Sequence, residues 1–223
     1  MTQPALTGTP GTLFTNSAAA TFNVSVTVPS DAEILIYGFG YQGTGTPSSV
    51  ALDPTGNNQA GTLIISVNDG TVESRLYYVR MPIPGSSLQA RATWGTNRSA
   101  FGGYAACYKN IDIGNPIITT GTGATSGNPS VAVTTRVDDI AVDAVASAAN
   151  PTIGGGQTSV ADGVPNGANM TNFDGSYEIA TALSTTMSWT LGAFYCIVAA
   201  SLRASPVQGE RLRKHFPIFQ YGV

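Results

Sequence analysis

The stretch from Arg75 to Ile117 limits the possible folds more than any other, because it reads as three successive β-strands with clear stops between them. Arg75-Leu76-Tyr77-Tyr78-Val79-Arg80-Met81 is aromatic and branched, and Pro82-Ile83-Pro84-Gly85 ends it by removing backbone donors and setting a turn. Leu88 to Trp94 alternates apolar and polar residues, the period-two signature of a strand with one wet face. Phe101 to Lys109 forms the third run, leads into Asn110-Ile111-Asp112 and stops at Asn115-Pro116.

The same reading extends along the chain. Thr21 to Val28 places Phe22, Val24, Val26 and Val28 on one face, and Glu33 to Tyr41 is more continuously apolar, which predicts a central strand. A short strand near Val50-Ala51-Leu52 meets the dense turn signal Asp53 to Asn58. Leu63 to Val67 then enters a hairpin at Asn68-Asp69-Gly70. Further strands are expected at Val131–Thr135, Ile140–Val145, Ser176–Leu183, Thr185–Thr190 and Phe194–Leu202, the last apolar on both faces. Thr119–Asn128 and Ala149–Gly175, dominated by Gly, Thr, Ser, Ala and Asn, read as loops. About ten strands without an amphipathic helix predict an all-β, antiparallel, two-sheet jelly-roll-like sandwich. The sandwich is expected over residues 20–203 as one domain, with an extended N-terminal arm at 1–19 and a basic-aromatic C-terminal tail at 204–223.

Only 10% of the residues are charged and the net charge is -3. Average soluble proteins carry roughly 25%, so the surface must be coated with neutral polar residues, which suits fixed contacts. No basic stripe exists in the body to displace counterions, which argues against nucleic acid as a partner. No segment approaches the roughly 18 apolar residues of a membrane helix, and Met1-Thr2-Gln3-Pro4 has no basic region leading into an apolar run. The expectation is a soluble chain made in the cytoplasm. Cys107 and Cys196 lie in strands with apolar neighbours and are expected as buried free thiols, with a bridge between sheets as the alternative.

Chemistry is sparse. The single histidine, His215, lies in the tail, so a Ser-His-Asp or Cys-His arrangement would have to recruit a terminal segment. Asp138, Asp139 and Asp143 are the densest carboxylates and could hold calcium; a polar turn followed by a solvent-facing aspartate is the favoured reading. Thirteen acidic residues could hide a glycosidase pair, yet nothing singles one out. Gly154-Gly155-Gly156 lacks the Lys-Ser/Thr and following helix of a phosphate loop. Neither an enzyme nor a cofactor nor a metal is expected. Tyr37, Tyr41, Tyr104, Tyr108 and Tyr195 read for the most part as core or sheet-surface residues, while Trp94 and Trp189, near strand ends, are the candidates for stacking on a sugar ring. In the tail, Arg211, Arg213, Lys214 and His215 suit an acidic surface, and Phe216, Ile218, Phe219 and Tyr221 are too apolar to leave in water. That segment either folds back on its own sandwich or reaches a neighbouring subunit.

Tyr77-Tyr78-Val79-Arg80, Tyr108-Lys109-Asn110-Ile111-Asp112 with Asn115-Pro116-Ile117, Val133-Thr134-Thr135 ahead of Asp138-Asp139-Ile140-Ala141-Val142, and Ala199-Ala200-Ser201-Leu202-Arg203 are together similar to the strand motifs of a jelly-roll module of phage virion structural proteins. The resemblance spans roughly Ala18 to Arg203 and is carried by structural motifs. It implies a capsid decoration or cement protein, located in the virion and made in the host cytoplasm. Such a protein binds the major capsid protein or other virion proteins as a homo-oligomer, with a trimer expected first. The alternative it implies is a carbohydrate-binding module of a tail fibre or bacterial surface protein.

Overall fold

The computed structural model describes residues 3–206, apart from Pro54 and Asn166, and these form strands, turns and loops without a helix. The first half holds β1 (Ala5–Thr15), β2 (Ala19–Val28), β3 (Ile34–Gln42), β4 (Ser49–Leu52), β5 (Gln59–Ala60), β6 (Thr62–Asn68), β7 (Val72–Arg80) and β8 (Gly85–Lys109). The second holds β9 (Ile117–Gly127), β10 (Ser130–Thr134), β11 (Ile140–Ser147), β12 (Thr152–Ile153), β13 (Thr158–Gly163), β14 (Asn172–Ile179), β15 (Ser184–Thr190) and β16 (Ala193–Leu202). Every pairing between them is antiparallel.

Leu88–Trp94 and Phe101–Lys109, read from sequence as two strands, are the two arms of the 25-residue β8. Between them the register of β2 jumps from Arg98 to Thr93, and Ala100 is bulged with φ 48°. The strand bends there and passes from one sheet to the other, a known way of turning a sandwich corner. Its first arm lies between β2 and β4, with β5 beyond; its second lies between β1 and β3, with β7 and β6 beyond. With the arms counted separately, the first, last, third and sixth strands of a jelly roll face its second, seventh, fourth and fifth, and β6 is an addition at the edge. The alternating residues explain the core between these sheets. Phe22, Val24 and Val26 of one sheet meet Leu35, Tyr37, Phe39 and Tyr41 of the other, with Trp94 and Phe101 among them.

The second half repeats this order. Its larger sheet runs β13-β14-β11-β16-β9, matching β6-β7-β3-β8-β1, and its smaller runs β10-β15-β12, matching β2-β8-β4. The register fixes the equivalence residue by residue, since Ile34 pairs with Arg80 and Tyr108 while Ile140 pairs with Ile179 and Leu202. The two larger sheets pack face to face through Ile34, Ile36, Leu76, Tyr104 and Tyr108 against Val142, Ala144, Phe173, Val198 and Leu202. In this packing β1 meets β13 as β9 meets β6, and β8 meets β14 as β16 meets β7. The contact is therefore isologous, as in a two-fold dimer, though it lies within one chain. The antiparallel two-sheet sandwich expected once over residues 20–203 is present twice, β1–β8 forming one and β9–β16 the other, stacked to give four sheets and three cores. This accounts for the continuous apolarity of β3, β11 and β16, each buried on both faces.

Three expectations change. The segment 1–19, read as an extended arm outside the sandwich, is extended, but its β1 pairs with β8 within the sheet, from Ala5 opposite Lys109 to Thr15 opposite Phe101. Thr119–Asn128, read as a loop, is most of β9, an edge strand built from small residues because Gly121 lies under Val131 and Gly123 beside Ile197. Ala149–Gly175, read as one loop, contains β12, β13 and the start of β14. Cys107 and Cys196 are buried free thiols, as expected, and they face different cores.

Candidate functional site

One end of the stack opens into a cleft of about 530 Å³, and the duplication explains why it exists. In the second half, β13 and β14 are joined by the eight residues 164–171, whose Pro165, Gly167 and Met170 are buried. This loop lies over Ala100, and its Asn169 N–H donates to Gln42 Oε1 at 3.1 Å. In the first half, the matching connection between β6 and β7 is only residues 69–71. Asp69 Oδ1 tightens it by accepting from the N–H groups of Thr71 and Val72, both at 2.8 Å, and Asn68 Oδ1 accepts from Gly70 N–H at 2.5 Å. The short turn does not reach over the residue that stands where Ala100 stands. That residue is Phe194, just before Tyr195 as Ala100 is just before Phe101, and it is 64% exposed whereas Ala100 is fully buried.

Asn68, Asp69, Thr71 and Val72 form one wall of the cleft, Ala124 and Thr125 of β9 another, and Ala148, Ala168, Asn169 and Phe194 complete it. β9 contributes further to the opening. Phe14 of β1 pairs with Gly102, while Ala124 pairs with Cys196, the counterpart of Gly102, so the small methyl leaves room that the first half fills with a ring. The lining offers hydroxyl, amide and carboxylate groups beside one aromatic face, and among the described residues it contains no lysine or arginine.

Trp94 and Trp189 are not available for stacking, since they are only 3% and 4% exposed. Trp94 lies edge-on to Tyr41 and Phe39, and its Nε1–H donates to the carbonyl of Gly45 at 3.1 Å. Trp189 Nε1–H donates to Asp143 Oδ2 at 2.7 Å. Both indoles occupy strand positions that face a core, which proximity to strand ends alone does not reveal.

Asp138 and Asp139 lie at the polar turn as expected, whereas Asp143, expected on a wet strand face, is placed differently. Asp143 is wholly buried, with Oδ1 accepting from Ser176 N–H at 2.7 Å and from Ser176 Oγ at 2.9 Å. Burial pushes its carboxyl up to about 7 against the pull of these donors and Trp189. Asp139 caps backbone N–H groups of Arg136, at 2.6 Å, and Ala204, at 2.8 Å. Asp138 sits in the turn with φ 74°. The three carboxylates are thus engaged separately, and among the described residues no group of three or more His, Cys, Asp or Glu side chains converges. A second buried polar centre joins Glu73 and Arg75 of β7 in an ion pair. Glu73 Oε2 accepts from Tyr41 OH at 2.6 Å and from Asn68 Nδ2 at 3.1 Å.

Tyr37, Tyr41, Tyr104, Tyr108 and Tyr195, read as core or sheet-surface residues, are all buried. Arg211, Arg213, Lys214, His215, Phe216, Ile218, Phe219 and Tyr221, the tail candidates, lie outside the described residues. Phe194, Thr71, Thr125 and Asn169 were not singled out by sequence; the usable signal was the unequal length of two equivalent connections, visible only once the duplication is known. In comparison with known proteins, the chain matches no family model, no curated protein and no solved structure.

Proposed function

We propose that this chain is a non-enzymatic structural protein of a phage virion, a capsid decoration or cement protein that binds and stabilises the shell. Its partners on this reading are the major capsid protein or other virion proteins, and it assembles as a homo-oligomer, with three copies the first arrangement to test. The observation that supports the reading is where the few charges go. Glu73, Arg75, Asp139, Asp143 and Asp174 are all buried in a chain with only 10% charged residues, so the stack presents a still more neutral surface. Such a surface suits permanent contacts whose many weak copies add up. The reading also rests on the jelly-roll motifs quoted above.

Quantitative mass spectrometry of particles sedimented from the native source is the test, read as the ratio of this chain to the main shell protein. Hundreds of copies per particle are expected, and absence from particles overturns the proposal. Deletion of residues 206–223 should release the protein from shells while the melting temperature of the stack stays unchanged. A second reading, a carbohydrate-binding module of a tail fibre or bacterial surface protein, is favoured by the exposed Phe194 at the rim of the cleft.

A further inference from the structure

We infer that the cleft between the 69–71 turn, β9 and Phe194 is a binding subsite for a neutral saccharide of one or two rings. The inference deepens the carbohydrate-binding reading and is independent of the virion assignment.

Four observations converge on that ligand class. The volume of about 530 Å³ lies within the roughly 300–1,000 Å³ of small-molecule sites. Its presence follows from the fold, since the equivalent place in the first jelly roll is occupied by the 164–171 loop, which covers Ala100 and binds Gln42. A volume that the second half's long connection fills over Ala100 is left open where the first half's short turn falls short of Phe194, and at its rim this phenyl ring stands 64% exposed. Leaving such a ring in water costs free energy that a ligand with an apolar face recovers.

The remaining lining decides which apolar face. Thr71, Thr125 and Asn169 bring hydroxyl and amide groups, and Asp69 has Oδ1 engaged by its own turn, so Oδ2 is the oxygen left for a ligand. Donors and acceptors set around one aromatic ring match a pyranose, which carries hydroxyls on its edge and C–H bonds on its face. With no lysine or arginine among the described residues of the lining, and with Asp69 present, an acidic sugar or a phosphate would meet uncompensated repulsion. A neutral ligand is selected.

The test uses the full chain and saturation-transfer NMR with glucose, galactose, mannose, N-acetylglucosamine and their β1,4-linked disaccharides, each at millimolar concentration. At least one is expected to receive saturation, mainly at ring C–H protons. Phe194→Ala, at an exposed position, should weaken binding by about fivefold or more, the range of one aromatic contact. Ala124→Phe copies the ring that stands at Phe14 and should abolish binding by filling the cleft. Asn169→Ala serves as a third variant where Ala124→Phe perturbs folding, and thermal melts establish that each variant retains the fold. If no neutral saccharide is saturated, or if binding survives both Phe194→Ala and Asn169→Ala, the inference is overturned. Failure of the wild-type chain on saccharides leaves the particle ratio untouched, so the two readings fall separately.

Discussion

Asp174 is where single-residue physics is sharpest. It is 1% exposed on β14, and neither of its carboxylate oxygens has a hydrogen-bond partner among the described residues. Burial, followed by the charge of Asp162 directly opposite on β13, pushes it up to about 8 from an ordinary 3.8. Asp143, pushed up to about 7, shifts the same way. Between pH 4 and pH 8 the folded chain therefore holds more protons than the unfolded one, so stability falls as pH rises through that window. The slope is up to about 1.4 kcal/mol per pH unit for each group. Asp174→Asn keeps the shape, removes the titration and gives Asp162 a donor across the strand pair. We expect the variant to be more stable than wild type by about 1–3 kcal/mol at pH 8 and to lose the advantage near pH 4. Urea unfolding at pH 4, 6 and 8 measures this, and an unchanged difference across the three would show that Asp174 is not the titrating group. None of this was legible in sequence. Asp143 reads as a solvent-facing strand aspartate and Asp174 falls in a segment that reads as a loop, and only the packing of the folded sheets removes their water.

At the scale of elements, legibility followed the side chains. β2 and the first arm of β8 alternate because each has one face in a core and one outside. β9 escaped because its inward positions must be small, so it has no apolar period to read: a methyl on Gly121 would run into Val131 of β10. Gly121→Val should accordingly cost about 1–3 kcal/mol by overpacking the space between the two sheets, although the residue it introduces has the higher strand propensity. The midpoint of urea denaturation measures this cost, and an unchanged or raised midpoint would show that the two sheets can part without penalty. The cleft escaped for a related reason. Its aromatic, Phe194, carries no local signal that separates it from the buried Tyr195 beside it, and its exposure is set by the distant turn at residues 69–71.

The whole molecule is a pair of jelly rolls joined by their larger sheets, and the linker between them is pinned by an antiparallel bridge from Ile111 to Ala204. Because the contact is isologous, either half alone presents a large apolar face that is complementary to a face of the same kind. Residues 1–112 expressed alone should therefore self-associate through Ile34, Ile36, Leu76, Tyr104 and Tyr108. Analytical ultracentrifugation is expected to find dimers or larger species, and a soluble monomer at tens of micromolar would contradict the two-core account of β3. The sequence by itself determined the fold class and most strand positions, because period-two alternation, proline stops and Gly/Asn turns act over a few residues. It also determined that Cys107 and Cys196 would be buried, since each sits in an apolar run. The tertiary structure alone decided the number of layers, the duplication, the burial of both tryptophans and the opening beside Phe194. Those depend on which distant faces meet, and burial is a property of the meeting rather than of either strand.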